Sequence, residues 1–193
     1  SDLRSYTVSL KVNAENLNTS PRFYDFGYNS GNSLFLRGNT FSAGVKYKNG
    51  TTALLSPDQT LDPGTEYFLT VTFDAKTKNT KIYVNSVLAA EGTNLVTEPY
   101  LLGENGRNYI GRTQWWDSTE SANNADYCGT IDDFYMFNTA LTEDEIKALY
   151  SYEPQQYSAD ITANDEIITV DITKDAAAKR SATIVASYNS DGV

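Results

Sequence analysis

The chain has 193 residues, 40% hydrophobic and 21% charged, with 15 Lys+Arg against 25 Asp+Glu and a formal net charge of -10. That length buries a core in one large or two small domains, and the acidic balance argues against nucleic acid or an anionic membrane as partner, because both need clustered Lys/Arg. The absence of histidine removes Ser-His and Cys-His nucleophile pairs and zinc-hydrolase sites, and the one cysteine, Cys128, cannot form an intrachain disulfide.

No apolar run approaches the ~18–20 residues that span a bilayer, and no signal peptide opens the chain. Fourteen tyrosines and low charge suit an all-β extracellular module, with a bacterial secreted or cell-surface protein as the expected source.

Strand signals begin at once. Tyr6, Val8, Leu10 and Val12 alternate with Thr7, Ser9 and Lys11, the period-2 pattern of a half-buried strand. Arg22–Phe26, Ser33–Arg37 and Phe41–Tyr47 follow as short β-prone runs separated by Gly/Asn turns. Tyr67–Phe73 and Lys81–Val84 form a hairpin, and Asn85-Ser86 is a tight turn into Val87–Ala90, although Gly is the better second residue there. Asn108–Arg112 and Thr130–Phe137 are the next strands, on either side of a polar insertion from Thr113 to Asp126. One helix is expected. Thr142 and Glu145 form a capping box, and Leu141 with Ile146 is placed as the hydrophobic staple. After Glu153-Pro154-Gln155-Gln156, further alternation (Ile168, Val170, Ile172, then Thr183–Tyr188) marks the start of a small second β module, expected to be truncated at the end of the chain.

Two blocks, NYIGRTQWW from Asn108 and DYCGTIDDFYMFNTALTEDEIKALY from Asp126, resemble the closing strands and terminal helix of bacterial laminin-G-like jelly rolls. These belong to the concanavalin-A-like lectin/glucanase superfamily and occur in secreted multidomain glycoside hydrolases. RFYDFGYNSGNSLFL and TKNTKIYVNSVLAAEGT are similar to the same family's earlier strands. The resemblance implies an all-β fold: a two-sheet jelly-roll sandwich over residues 1–152 with one short C-terminal helix, followed over 153–193 by a linker and a partial small Ig-like β module. It also implies one or two further strands before Tyr6, so an N-terminal strand is expected to be missing.

Glycoside cleavage needs two facing carboxylates. The E-x-D-x-x-E run with which this superfamily supplies them is absent, and Glu143, Asp144 and Glu145 read as first-turn helix acids. No catalytic residue is assigned, and the chain is expected not to be an enzyme. Strict alternation would bring either Asp132 or Asp133 toward a core-facing layer, where an unpaired carboxylate is costly. The resemblance makes Asp132 the candidate ligand of a structural calcium, with Asp133 second; a hydrogen-bonded loop anchor is the other remedy.

Trp115 and Trp116 sit side by side in the polar insertion. Sugars offer apolar C–H faces to exposed rings, so Trp116 is the candidate platform and Trp115 the residue that plugs the loop. Arg112, Gln114, Asp117 and Asn124 are candidates for hydrogen bonds to hydroxyls. Tyr24, Tyr28, Tyr47, Tyr109 and Tyr127 could line the sheet face. Cys128 is expected to be buried and inert.

The leading expectation is a non-catalytic carbohydrate-binding or adhesion module of a larger secreted protein, a glycoside hydrolase. Its partners would be a poly- or oligosaccharide and the other domains of the parent chain. The alternative is a structural spacer or protein-interaction domain without a sugar ligand. A glycan-cleaving enzyme stands third, since it requires two carboxylates about 5–10 Å apart in a cleft.

Overall fold

The computed structural model describes residues 4–17, 21–27, 32–93, 95, 98–103, 106–114, 126–152, 157–163, 168–174 and 184–186. The chain divides into two compact units, Ser1–Tyr150 and Ser151–Val193.

The first unit is an all-β jelly-roll sandwich of two antiparallel five-stranded sheets. Sheet A consists of β1 (Tyr6–Ala14), β6 (Glu66–Asp74), β7 (Asn79–Val84), β8 (Val87–Gly92) and β10 (Gly129–Phe137), in the order β10-β1-β6-β7-β8. Sheet B consists of β2 (Arg22–Gly27), β3 (Ser33–Arg37), β4 (Ser42–Lys46), β5 (Thr52–Leu55) and β9 (Arg107–Ile110), in the order β5-β4-β3-β2-β9. Alternation places Val8, Leu10, Leu69, Val71, Phe73 and Ile82 of sheet A against Tyr24, Phe26, Leu34, Leu36, Ala43 and Val45 of sheet B, all buried in one cluster. This sheet-on-sheet burial is the main stabilising term, with no disulfide to assist it.

Local rules account for the connections. Asn85 and Ser86 both take left-handed φ values, 49° and 65°, as a two-residue hairpin turn requires. The turn is reinforced because Asn85 Oδ1 accepts the Phe68 N–H at 2.8 Å. The helix α1 (Glu143–Tyr150) starts at the expected capping box: Glu145 Oε2 accepts the Thr142 N–H at 2.8 Å, and Thr142 Oγ1 accepts the Glu145 N–H at 3.3 Å.

The structure departs from the sequence reading in three places. First, β1 is buried on both faces: Thr7 and Ser9 are as inaccessible as Val8 and Leu10. Thr7 Oγ1 donates to the Thr139 carbonyl at 2.8 Å and accepts the Leu141 N–H at 2.9 Å, so the segment entering α1 lies over the outer face of sheet A. Ile146 of α1 is fully buried, and Tyr150 packs on Phe68 with ring centroids 5.7 Å apart. Second, β5 forms where no strand was expected, pairing along β4 from Ala43↔Leu55 to Lys46↔Thr52. Third, alternation along β10 breaks at Asp133, where φ is 48° and the register against β1 shifts between Ser9 and Lys11. The bulge returns Phe134 to the core beside Phe26 and releases both aspartates from it.

The second unit contains a three-stranded antiparallel sheet of β11 (Tyr157–Ala163), β12 (Ile168–Lys174) and β13 (Ile184–Ala186), in that order. β12 is the shared central strand, with Ile161↔Val170 on one side and Val170↔Ile184 on the other.

Candidate functional site

The chemistry of the first unit gathers on the outer face of sheet B. Because successive residues of a strand point to opposite faces, the register that sends Tyr24, Leu34, Leu36, Ala43 and Val45 inward sends Asp25, Phe35 and Gly44 outward. These three and Tyr109 form one transverse row, Tyr109↔Asp25↔Phe35↔Gly44, running across β9, β2, β3 and β4.

Gly44 makes room for that row. A Cβ at this position would lie 2.2 Å from the Phe35 ring, so the ring rests where a side chain would otherwise stand. The Arg22 guanidinium lies over the same ring, 4.1 Å from its centroid, and Arg37 approaches it at 5.6 Å.

Asp25 joins the sheet to the chain that follows β9. Its side chain is fully buried. Oδ1 accepts from Gln114 Nε2 at 3.0 Å, and Oδ2 accepts the Gln114 backbone N–H at 3.2 Å. Arg22 Nε stands 3.4 Å from Oδ2. Burial pushes the Asp25 carboxyl up to about 6, against the charge of Arg22 and the Gln114 hydrogen bonds, both of which pull it down. With no exposure and with both oxygens engaged, Asp25 acts as an anchor and is not placed to act as an acid on a substrate.

Of the expected sugar-binding residues, two are described. Gln114 is buried; its Nε2 and backbone N–H both donate to Asp25, while its Oε1 is buried without a hydrogen-bond partner among the described residues. Arg112 is partly exposed; its guanidinium lies 5.6 Å from the Tyr109 ring centroid, and its Nε is 3.9 Å from Asp126 Oδ1. Trp115, Trp116, Asp117 and Asn124 lie outside the described residues, as does Tyr28. Tyr109 is half-buried on the outer face, whereas Tyr24 is in the core, stacked on Phe26 at 4.9 Å. Tyr47 packs against the core edge, and Tyr127 leans on Phe23 while donating to the Thr130 carbonyl at 2.8 Å. Arg22, Asp25, Phe35 and Arg37 were not anticipated, although two charges inside the otherwise aromatic run RFYDF were a visible signal.

The two calcium candidates lie at the bulge of β10. The bulge leaves Asp132 exposed, and Asp133 Oδ2 is 2.9 Å from Lys11 Nζ, a cation in the place a metal would need. Among the described residues no group of three or more Asp, Glu, His or Cys side chains converges on a point. Calcium wants six to eight oxygens, carbonyls among them. The expectation that Cys128 is buried is corrected: it is exposed, and its thiol donates to Glu15 Oε2 at 3.1 Å, an interaction that raises its pKa.

A cleft of about 300 Å³ opens beside the core between Tyr6, Val8, Phe26, Leu34, Leu102 and Met136. Its polar group Asn108 is already engaged, accepting the Gly27 N–H at 3.2 Å, so its lining is poorly matched to a hydroxyl-rich ligand.

A profile described as the concanavalin A-like lectin/glucanases superfamily matches residues 1–147. The chain belongs to this superfamily. Among solved structures, this superfamily member is similar to the carbohydrate-binding module CBM40 of the Ruminococcus gnavus IT-sialidase bound to α2,3-sialyllactose, at 15% identity and TM-score 0.62, over 78% of this chain and 84% of that one. It is also similar to domain 4 of AbnA, a GH43 extracellular arabinanase from Geobacillus stearothermophilus, in complex with arabinotriose, at 23% identity and TM-score 0.61, over 78% and 68% of the two chains. A heptameric SAP-like pentraxin from Limulus polyphemus matches at 14% identity and TM-score 0.57, over 77% and 70%. These likenesses establish the jelly-roll architecture. No curated protein matches the sequence.

Proposed function

We propose that the chain is a non-catalytic carbohydrate-binding module of a secreted protein, and that sugar docks on the outer face of sheet B beside the 112–126 segment. The observation that carries this reading is the half-exposed Tyr109 ring, with the Arg112 guanidinium over one face 5.6 Å from its centroid, in the row it shares with Asp25 and Phe35. An aromatic face takes the C–H side of a pyranose, and a neighbouring guanidinium donates in a fixed plane to its oxygens. Gln114, two residues before Trp116 in the sequence, is held by Asp25. Trp116 therefore remains in this reading as a second ring, with Asp117 and Asn124 as hydrogen-bonding partners.

Two solved relatives support the ligand class: the sialidase module was solved with sialyllactose and the arabinanase domain with arabinotriose. Both come from glycan-processing proteins, and this supports a glycoside hydrolase as the parent and a secreted location. The test is a glycan array on the purified protein, repeated with Tyr109→Ala and Trp116→Ala. Binding by the wild type that falls in either variant supports the reading. A blank array from folded protein refutes it and favours a spacer or protein-interaction role.

A further inference from the structure

A polar cleft of about 300 Å³ lies on sheet A, on the side away from the core. It runs between Asp74, Asn79, Lys81 and Tyr83 of β6 and β7 and Thr142 and Glu143 at the start of α1. Alternation puts these strand residues on the outer face, because Val71, Phe73, Ile82 and Val84 take the core side. Their register is Asp74↔Asn79 and Thr72↔Lys81, with Thr70↔Tyr83 beside them.

Both walls are held by bonds of the fold itself. On one side Asp74 accepts the Lys76 N–H and the Thr77 hydroxyl, each at 2.9 Å, which ties down the β6–β7 turn. On the other, Thr7 bonds the Thr139 carbonyl and the Leu141 N–H, and Thr142 and Glu145 close the capping box. Walls already in place pay little ordering cost on binding.

Two polar groups of the cleft lack partners among the described residues. Asn79 donates from Nδ2 to Glu91 Oε1 at 2.6 Å, which leaves its Oδ1 buried and unbonded. The Tyr83 side chain is 1% exposed, and its hydroxyl makes no hydrogen bond there. Burial, with the charges of Glu143 and Glu91, pushes that hydroxyl up to about 12, so it stays a neutral donor at ordinary pH. Polar groups left unpaired inside a fold are costly, and each calls for a partner from outside it.

The charges of the cleft are mixed. Lys81 stands opposite Glu91 across β7 and β8, and Asp74 and Glu143 add two carboxylates. An anion would meet those carboxylates, a cation would meet Lys81, and an apolar group would strand the amide and the hydroxyl. A sugar hydroxyl both donates and accepts, so neighbouring hydroxyls match interleaved donors and acceptors.

We infer that this cleft is a second saccharide site, taking one neutral sugar residue whose hydroxyls pair with Tyr83, Asn79 and Glu143. It deepens the proposed carbohydrate-binding function with a docking point on the opposite sheet. Because the two sites face opposite ways, they engage separate glycan chains, and the second adds retention on a dense polysaccharide.

The test is an amide-shift titration of the isotopically labelled wild type and Tyr109→Ala with lactose, arabinotriose, glucosamine and lactose 3′-sulfate. Saturable shifts at Asn79, Lys81, Tyr83 and Glu143 with lactose or arabinotriose are expected in both proteins. Tyr83→Phe is expected to weaken binding in the cleft about threefold to tenfold, the loss of one hydrogen bond. Its Tm should stay unchanged or rise, since the hydroxyl it removes has no partner in the free fold. A fall in Tm makes the hydroxyl structural and overturns the inference. Stronger binding of glucosamine or lactose 3′-sulfate than of lactose overturns the assignment to a neutral sugar. Silence in the cleft, with shifts at Tyr109 in the wild type, overturns this inference alone. Shifts in the cleft with none at Tyr109 overturn the sheet B reading alone, and silence at both overturns both.

Discussion

Gln114 reaches back 89 residues to close two hydrogen bonds on the buried Asp25, and this pair joins the segment after β9 to the middle of sheet B. Burying a carboxylate is costly unless it is paired and hydrogen-bonded. Asp25 meets that condition through Gln114 and Arg22, and the same contacts fix Gln114 against sheet B.

This anchor has a pH signature. The folded-state pKa of Asp25, about 6, lies above its ordinary value of 3.8, so ionisation of this group disfavours the fold. Its contribution to stability is complete below the ordinary value and is lost as pH rises through about 6, by up to about 3 kcal/mol. Asp74 and Glu145 work in the opposite sense: hydrogen bonds from the Lys76 and Thr142 backbones lower their pKa values, and their contributions are lost as pH falls through those lowered values. Denaturant unfolding from pH 7.5 to 4.5 should therefore show stability rising toward acid, a rise that Asp25→Asn removes. An unchanged slope in that variant would show that Asp25 ionises without penalty.

Gly44 tests the bed on which Phe35 lies. Gly44→Ala places a methyl 2.2 Å from the ring and should destabilise the protein by about 1–3 kcal/mol in urea unfolding. It should also weaken glycan binding, because moving Phe35 moves Arg22 and Arg37, which pack on it. Wild-type stability would mean that the ring has room to shift.

The β7–β8 turn offers a gain in stability. Ser86 holds φ at 65°, a conformation that costs a side-chain-bearing residue roughly 1 kcal/mol. Ser86→Gly should raise Tm, and Asn85→Ala, which removes the bond to the Phe68 N–H, should lower it. A loss of stability in Ser86→Gly would count against the turn geometry.

At the β10 bulge, Lys11 already pairs with Asp133 at 2.9 Å. Chelator or added calcium is therefore expected to leave Tm unchanged, since only an ion that binds the folded state shifts unfolding. A calcium-dependent rise that vanishes in Asp132→Asn would show that a metal site does form there.

What the sequence showed best was local. The Thr142/Glu145 box and the Asn85-Ser86 turn need only neighbouring residues, and both formed as expected. The bulge at Asp133 was hidden because it depends on register against Leu10, more than a hundred residues away. β5 was missed because Thr-Ala-Leu-Leu has little β preference by itself; it is a strand through its pairing with β4. The site was half legible. Arg112 and Gln114 drew notice beside the tryptophans, but their partners Tyr109 and Asp25 could be assigned only once β9 was known to pair with β2.

The central claim is that the outer face of sheet B binds sugar through Tyr109. The most direct measurement is a titration of the isotopically labelled protein with the best glycan from the array, followed by amide chemical shifts. Shifts clustered at Tyr109, Arg112, Gln114 and Arg37, and an affinity at least about tenfold weaker in Tyr109→Ala at unchanged Tm, are the predicted result. Shifts confined to sheet A or to the apolar cleft at Val8 and Met136, with Tyr109→Ala binding as the wild type does, would contradict it.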